Sequence, residues 1–218
     1  MKLIVIPNEH EPECLKELRK VTNNYSHLQG DCMQETKSTL RVLQMNHCAY
    51  CERKLDTVFI EHFIPQSAGS GLEFDNFLAV CSGNYYTDKL KGDKIDHCDT
   101  KKGNTHLNID PRNQEHIDTL SYDDDASLVS EELLFQQDID DILNLNFYEL
   151  KRERQNAYNK IDLEYIVGEA HQMFPLKERL RKILSMAERG EFEFSAYIQF
   201  RVLTRLKYVG KSKKNEIQ

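Results

Sequence analysis

No run of apolar residues in the 218-residue chain approaches the length of a bilayer span, which excludes a membrane-crossing helix. An export signal is missing too: Asn8, Glu9 and Glu11 cut MKLIVIP short, so this stretch is expected to be a first strand of a cytoplasmic protein. No internal repeat is present, and no low-complexity segment beyond the terminal GKSKKNEIQ, which is expected to fray. GKS lacks the preceding glycine of a phosphate-binding loop, so an ATP site is excluded. Asp110 to Asp125 is rich in carboxylates but lacks the alternating ligands, central glycine and final glutamate of a calcium loop. Basic charge is scarce, with 29 Lys and Arg against 36 Asp and Glu, a net of −7. That balance is awkward for a chain that must meet phosphates.

What is present is a globular composition, 39% hydrophobic and 30% charged, sufficient for one sizeable domain or two small ones. Charge is unevenly spread. Eleven Lys and Arg face five Glu from Leu176 to Gln218, a net of +6, so residues 1 to 175 carry −13. From Asp110 to Leu150 twelve acids face one arginine. A basic tail and an acidic middle each offer a surface to a partner or to nucleic acid, or simply to solvent. Arg201 and Arg205, one turn apart, are the tail's candidate phosphate contacts.

Six cysteines in a chain without an export signal are expected to be reduced, which favours metal ligation over disulfides. Cys48 and Cys51 form a C-x-x-C knuckle, the turn that supplies two ligands of a zinc tetrahedron. Cys81 and Cys98 complete a set of four if the polar excursion between them loops out. His47 and His97 adjoin these cysteines, so three cysteines plus one histidine is a second option. Cys14 and Cys32 have no such partners and read as small buried apolar residues.

Glu61 and His62 follow an apolar run and precede Phe63-Ile64-Pro65, where a strand ends and a turn begins. An imidazole there can take a proton from water near neutral pH, and the adjacent carboxylate can hold a hard divalent cation. Asp99 directly follows Cys98, so a metal ligand would fix the backbone that presents a second carboxylate. Lys102, with Lys101 beside it, can meet a phosphate.

These positions together, Cys48-x-x-Cys51, Glu61-His62-x-x-Pro65, Asp75-Asn76-x-Leu78, Cys81 and Cys98-Asp99-x-x-Lys102, resemble the HNH endonuclease family. More narrowly, the AYCE opening, the IEHFIP turn and the HCD-x-KKG ending resemble its PtuB-type subunits in Septu and retron-associated anti-phage systems, which act with the ATPase PtuA. LNLNFYELKRER adds weaker support. The resemblance implies an α+β fold, a small zinc-stapled ββα-metal core embedded in a mainly helical protein. It implies His62 as general base, Glu61 and Asp99 as ligands of catalytic Mg2+ or Mn2+, and Asn76 as the residue that ties two loops together and orients the base. Lys102 would hold a phosphate, and Zn2+ would be structural. Implied partners are DNA or RNA, a PtuA-like ATPase, and a retron reverse transcriptase with its RNA–DNA product. Glu61 stands where Asp is commoner, and Asp99 where Asn or His is. A zinc-folded adaptor that binds an ATPase through its acidic segment is the alternative. A thiol oxidoreductase is disfavoured, since Cys48 does not follow a strand of a βαβ unit.

Three regions are expected: 1–46, strand and helices; 47–104, the nuclease core; 105–218, an acidic hairpin and helices. Helices are expected after Pro12 with Leu15, Leu18 and Val21 inward, and from about Thr36 to Met45. Strands are expected at Leu55 to Ile60 and Phe74 to Val80, and a short helix near Asp99. Leu107 to Ile109 and His116 to Tyr122 should be extended, the latter turning through Asp123–Asp125 into Ser127–Ser130. Apolar stripes then indicate helices from Glu131, from Phe147 to about Ile161, after Pro175 to Gly190, and from Ser195 to about Tyr208 with Ala196, Phe200, Leu203 and Leu206 inward.

Overall fold

The computed structural model describes residues 1–69, 71–88, 91–167 and 175–212. The chain is mixed α+β, about half helical, with its strands in three two-stranded sheets. It divides into two compact units, Met1–Leu120 with Val129–Asn146, and Ser121–Leu128 with Phe147–Gln218. Segments 1–46 and 47–104 both lie within the first.

The first unit opens with α1 (Glu13–Val21), entered from Pro12 and closed by Arg19 and Lys20 at the negative end of its dipole. Leu15 is fully buried, whereas Val21 is 81% exposed. The expected stripe therefore stops short of the helix end. MKLIVIP forms no strand: Met1 and Ile4 are buried, and Ile4 N–H donates to the Pro111 carbonyl, but no ladder follows. The second helix, expected from about Thr36, opens earlier as α2 (Gly30–Leu43), because a left-handed Gly30, φ +55°, turns the chain into it. Thr36 and Leu40 face inward one turn apart.

Cys14 and Cys32 correct two expectations. They are joined in a disulfide between α1 and α2, with 5.7 Å between their Cα atoms. The pair is half-buried rather than in the core.

Past α2, β1 (Phe59–His62) pairs antiparallel with β2 (Phe77–Val80), Glu61 opposite Leu78 and His62 opposite Phe77. All four β2 residues are buried, as a run of apolar side chains on both faces requires. Between β2 and α3 (Cys98–Lys102) the polar excursion folds into a small hairpin, β3 (Tyr86–Thr87) with β4 (Lys94–Ile95). His116 is helical in α4 (Gln114–Asp118) rather than extended, since the Asn113 side chain caps it by accepting the Glu115 N–H. β5 (Leu120–Tyr122) and β6 (Leu128–Ser130) form the expected hairpin. Leu133 and Leu134, read as core, begin α5 (Leu133–Gln137) largely exposed. The buried Asp138 that follows accepts the backbone N–H groups of Asn108 and Ile109 and so closes the unit.

In the second unit α6 (Tyr148–Ile161) buries Leu150, Arg154, Tyr158 and Ile161. The Arg154 guanidinium donates to the Ala126 carbonyl at 3.0 Å and lies 5.7 Å from the Tyr122 ring centroid. α7 (Leu176–Glu188) buries Leu180, Ile183 and Ala187. Packed against it, α8 (Ser195–Ser212) buries Tyr197, Ile198 and Val202, not the stripe expected from Ala196 to Leu206. The larger ring of Tyr197, edge-on to Tyr122 and Tyr158, sets the helix rotation.

The disulfide closes a loop of 18 residues, for which chain entropy gives about 3 kcal/mol. Cys14→Ser with Cys32→Ser should lower unfolding stability by about that amount in urea under non-reducing conditions. A dithiol reductant should lower the wild type to the same value and leave the variant unchanged.

Candidate metal centre and carboxylate cluster

The knuckle is shaped by its backbone. Met45 and Asn46 take positive φ after α2, and Glu52 does so after Cys51. Cys48 N–H donates to the Arg53 carbonyl and Glu52 N–H to the Cys48 carbonyl, which closes the turn. The buried Gln44 docks it on β2: its amide nitrogen donates to the Ala79 carbonyl and its amide oxygen accepts the Ala79 N–H, both at 2.8 Å. Ala49 N–H donates to the same carbonyl. Cys81 ends β2, and Cys98 opens α3 with its N–H on the Leu143 carbonyl.

Four sulfurs thereby converge, all buried, within 4.8 Å of one another. Cys48 Sγ lies 3.9 Å from Cys98 Sγ and Cys51 Sγ 3.8 Å from Cys81 Sγ. A zinc tetrahedron with Zn–S bonds of about 2.3 Å has edges of about 3.8 Å, so the residues fit a structural zinc. Of the two ligand sets open in the sequence, the four cysteines form the cluster. His97 stands just outside, its Nε2 3.9 Å from Cys81 Sγ and its Nδ1 donating to the Gly83 carbonyl at 2.6 Å. His47 bridges to Lys54. Burial pushes the Cys51 and Cys98 thiols up, while hydrogen bonds from Cys48, Cys51 and Cys98 draw Cys81 down. A cation bound among the four would hold them as thiolates against that burial.

α3 brings Asp99 and Lys102 to Glu61. Lys102, 1% exposed, places its Nζ 2.6 Å from Glu61 Oε1 and donates to the His62 carbonyl at 3.2 Å. The Tyr50 hydroxyl donates to the same oxygen at 3.4 Å. Lys102 therefore points inward as a counter-ion rather than outward to a phosphate. Its neighbour Lys101 is exposed. Burial, then the hydrogen bond and charge of Asp99, push the Glu61 carboxyl up to about 8, against the pull of Lys102. Two ionised carboxylates against one ammonium would leave a net negative charge where it is poorly solvated, so Glu61 keeps its proton near neutral pH, and a divalent cation would reverse that logic by displacing it. Glu61 and Asp99 are hard oxygen donors suited to such an ion.

His62 is held at the end of β1. Its Nε2 donates to the Gly71 carbonyl at 2.9 Å, since a carbonyl only accepts, and this assigns the proton to Nε2. The other nitrogen, Nδ1, then accepts from the Gln66 side-chain amide at 3.4 Å, a long bond from an exposed turn that a water can displace. Tyr25 and Phe77 meet the ring edge-on at 4.6 and 4.9 Å. Burial lowers the imidazole's proton affinity, which keeps it neutral and able to act as a base. Asn76 ties β2 to the turn after β1: its Oδ1 accepts the Ile64 N–H at 2.7 Å and its Nδ2 donates to the Ile64 carbonyl at 2.9 Å.

Glu61, His62, Asn76, Asp99 and Lys102 are thus gathered within the first unit, beside the four cysteines. Arg201 and Arg205 belong to the second and are engaged there. Arg201 lies 5.1 Å from the Tyr158 ring centroid and donates to the Tyr197 hydroxyl, while Arg205 pairs with Asp162. Neither stands free for a phosphate, because α8 is rotated to bury Tyr197. Lys213 and Lys214 lie outside the described residues.

Three residues of the site carried no signal on their own. Gly71 presents the carbonyl that holds His62, and a Cβ there would sit 1.9 Å from the Asn23 carbonyl oxygen. Asn23 Oδ1 accepts the Leu72 N–H at 2.9 Å, and Glu73 accepts the Gly71 N–H at 2.7 Å. Only spatial contact between residues distant in sequence reveals this latch.

Two outcomes test the site. Elemental analysis should find about one zinc per chain, and Cys51→Ser should lose it together with a large part of the fold's stability, since such a site contributes on the order of 10 kcal/mol. Gly71→Ala should keep the zinc yet shift the His62 ring signals in NMR, because Asn23 must move to admit the methyl group. An unshifted imidazole would separate the latch from the base. No family model and no curated protein matches the chain, so its function is argued from this geometry.

Proposed function

We propose that the protein is a metal-dependent endonuclease of the HNH type, with a ββα-metal core made of β1, β2 and α3. The observation that carries it is the convergence of a neutral, backbone-held imidazole with two adjoining carboxylates next to a four-cysteine cluster. Structural zinc would be held by Cys48, Cys51, Cys81 and Cys98. Glu61 and Asp99 would hold Mg2+ or Mn2+, which supplies charge stabilisation at phosphoryl oxygens when bound.

The chain's own residues do the rest. The Gly71 carbonyl fixes the His62 tautomer, which leaves Nδ1 to take a proton from water as it attacks phosphorus. Gln66, beside that nitrogen, is suited to orient the water. Lys102 holds Glu61 in place through Oε1, and Asn76 fixes the turn that follows the base.

The order and type of these residues, as in the PtuB-type subunits they resemble, support a role as nuclease effector of an anti-phage system. There a PtuA-like ATPase, and a retron reverse transcriptase with its RNA–DNA product, would be partners. One observation favours the adaptor alternative: Lys102 already occupies the Glu61 oxygen that a cation would seek.

General-base catalysis contributes roughly 10²- to 10⁴-fold, so His62→Ala should abolish detectable cleavage while zinc content and fold persist. Cleavage assays of wild type and variant, each with and without the candidate ATPase and with Mg2+ or Mn2+, decide the matter. A variant that cuts at the wild-type rate would leave the adaptor as the better reading.

A further inference from the structure

Beside α2 lies a cleft of about 300 Å³ whose chemistry the candidate active site does not use. Gln34, Lys37, Ser38 and Arg41 line it from one face of the helix, at spacings of three and four residues. Asp56 and Thr57, from the segment that leads into β1, form the other wall. Its lining is polar, with no aromatic floor to hold an apolar ligand.

Its cations lack acidic partners. Arg41 donates only to backbone, the Leu55 and Asp56 carbonyls at 3.2 and 2.9 Å, and its Nε is buried without an acceptor. Among the described residues neither Arg41 nor Lys37 has an ion pair, and Asp56 is the one acid in the wall. From Lys37 to Asp56 the chain carries four Lys and Arg against two acids, a local reversal of its net −7. A guanidinium fork, an ammonium and the hydroxyls of Ser38 and Thr57 are a donor set for a tetrahedral anion.

We propose that this cleft binds a backbone phosphate of a nucleic acid. The anion chemistry stands on the cleft alone, while the choice of a polymer rests on the endonuclease reading. The cleft wall ends at Val58, four residues before His62, a strand rise of about 13 Å. That is about four 3.4 Å axial steps of a duplex, a length that a single bound strand spans. The arrangement also resolves the charge problem. A chain of net −7 needs its phosphate contacts concentrated, and here Lys37 and Arg41 have no ion pair among the described residues, whereas Arg205 pairs with Asp162 and Arg201 is engaged by Tyr158 and Tyr197.

The test is equilibrium binding of an oligonucleotide across a salt series, using the zinc-loaded full chain carrying His62→Ala so that substrate survives. Adding Lys37→Glu should weaken binding and reduce the slope of log affinity against log salt by about one unit, with zinc content unchanged. Lys37→Arg should restore both. Unchanged affinity and slope, or no oligonucleotide bound by either protein, would overturn the proposal. Inorganic phosphate and a mononucleotide form a second arm. If they bind at Lys37 as tightly as the oligonucleotide does, the cleft is a free-anion site and the polymer assignment falls. The two readings fail separately. A Lys37-dependent slope with cleavage that survives His62→Ala sinks the nuclease alone, and lost cleavage with an unaltered slope sinks the cleft alone.

Discussion

Four buried sulfurs that must share one small volume are the constraint from which the first unit follows. Thiols at 3.8 to 3.9 Å in a buried cluster gain little from one another as neutral groups, and burial opposes their ionisation. A cation that makes all four thiolates converts the cluster into the strongest tie in the unit. The sulfurs draw three pieces together: Cys48 and Cys51 the turn after α2, Cys81 the residue that follows β2, Cys98 the start of α3. Gln44 and Ala49 then lock the turn onto Ala79, so the ties that a bound cation would add and the sheet hydrogen bonds would reinforce one another. The position of α3 determines where Asp99 and Lys102 stand. The carboxylate cluster is therefore a consequence of the sulfur cluster.

The imidazole depends on a different set of ties. His62 lies on β1, which carries no cysteine, and its ring is aimed by a carbonyl from the loop between the two strands. That loop is gripped from the other side by Asn23, which lies between α1 and α2 inside the loop closed by Cys14–Cys32. Tyr25, four-and-a-half ångströms from the imidazole, is in the same closed loop. Base and carboxylates are thus held by two supports, one thiolate-based and one disulfide-bounded, that meet at the Glu61–His62 peptide. Asn76 is the brace between them, since it pairs with Ile64 just past that peptide and immediately precedes β2.

Much of this was legible from residue type and spacing. The knuckle, the apolar runs at β1 and β2, the stripes of α6 and α7 and the polar excursion after Cys81 each carry a local pattern that their packing preserves. Where the pattern misled at the N-terminus, in α8 and at the remaining two cysteines, a long-range contact had intervened. MKLIVIP is as apolar as a strand, but buries itself with a single backbone tie to Pro111. α8 is rotated away from its most regular stripe because Tyr197 stacks with Tyr122 and Tyr158, and that rotation draws Arg201 inward. Cys14 and Cys32 gave no sign of pairing, for nothing local brings the two helices together. The direction of Lys102 was equally invisible: a lysine near the end of a short helix is usually solvated, and only the buried Glu61 draws it in.

That inward lysine bears on how the site handles charge. A buried carboxylate pair without compensation would protonate or separate, and the rise of the Glu61 carboxyl to about 8 reflects that pressure even with Lys102 in place. An ammonium on Oε1 offsets one charge and, through its second tie to the His62 carbonyl, holds Glu61 next to the base. The proton retained by Glu61 offsets the second. A divalent ion entering between Glu61 and Asp99 would displace that proton, and would then oppose the ammonium beside it. Two responses relieve this: Lys102 stays and the ion binds weakly, or it swings from Oε1 and keeps its carbonyl tie. In the second case the freed ammonium would be available to an oxygen of an anionic substrate. Only there do the inward lysine of the structure and the phosphate-holding lysine suggested by the sequence describe the same residue.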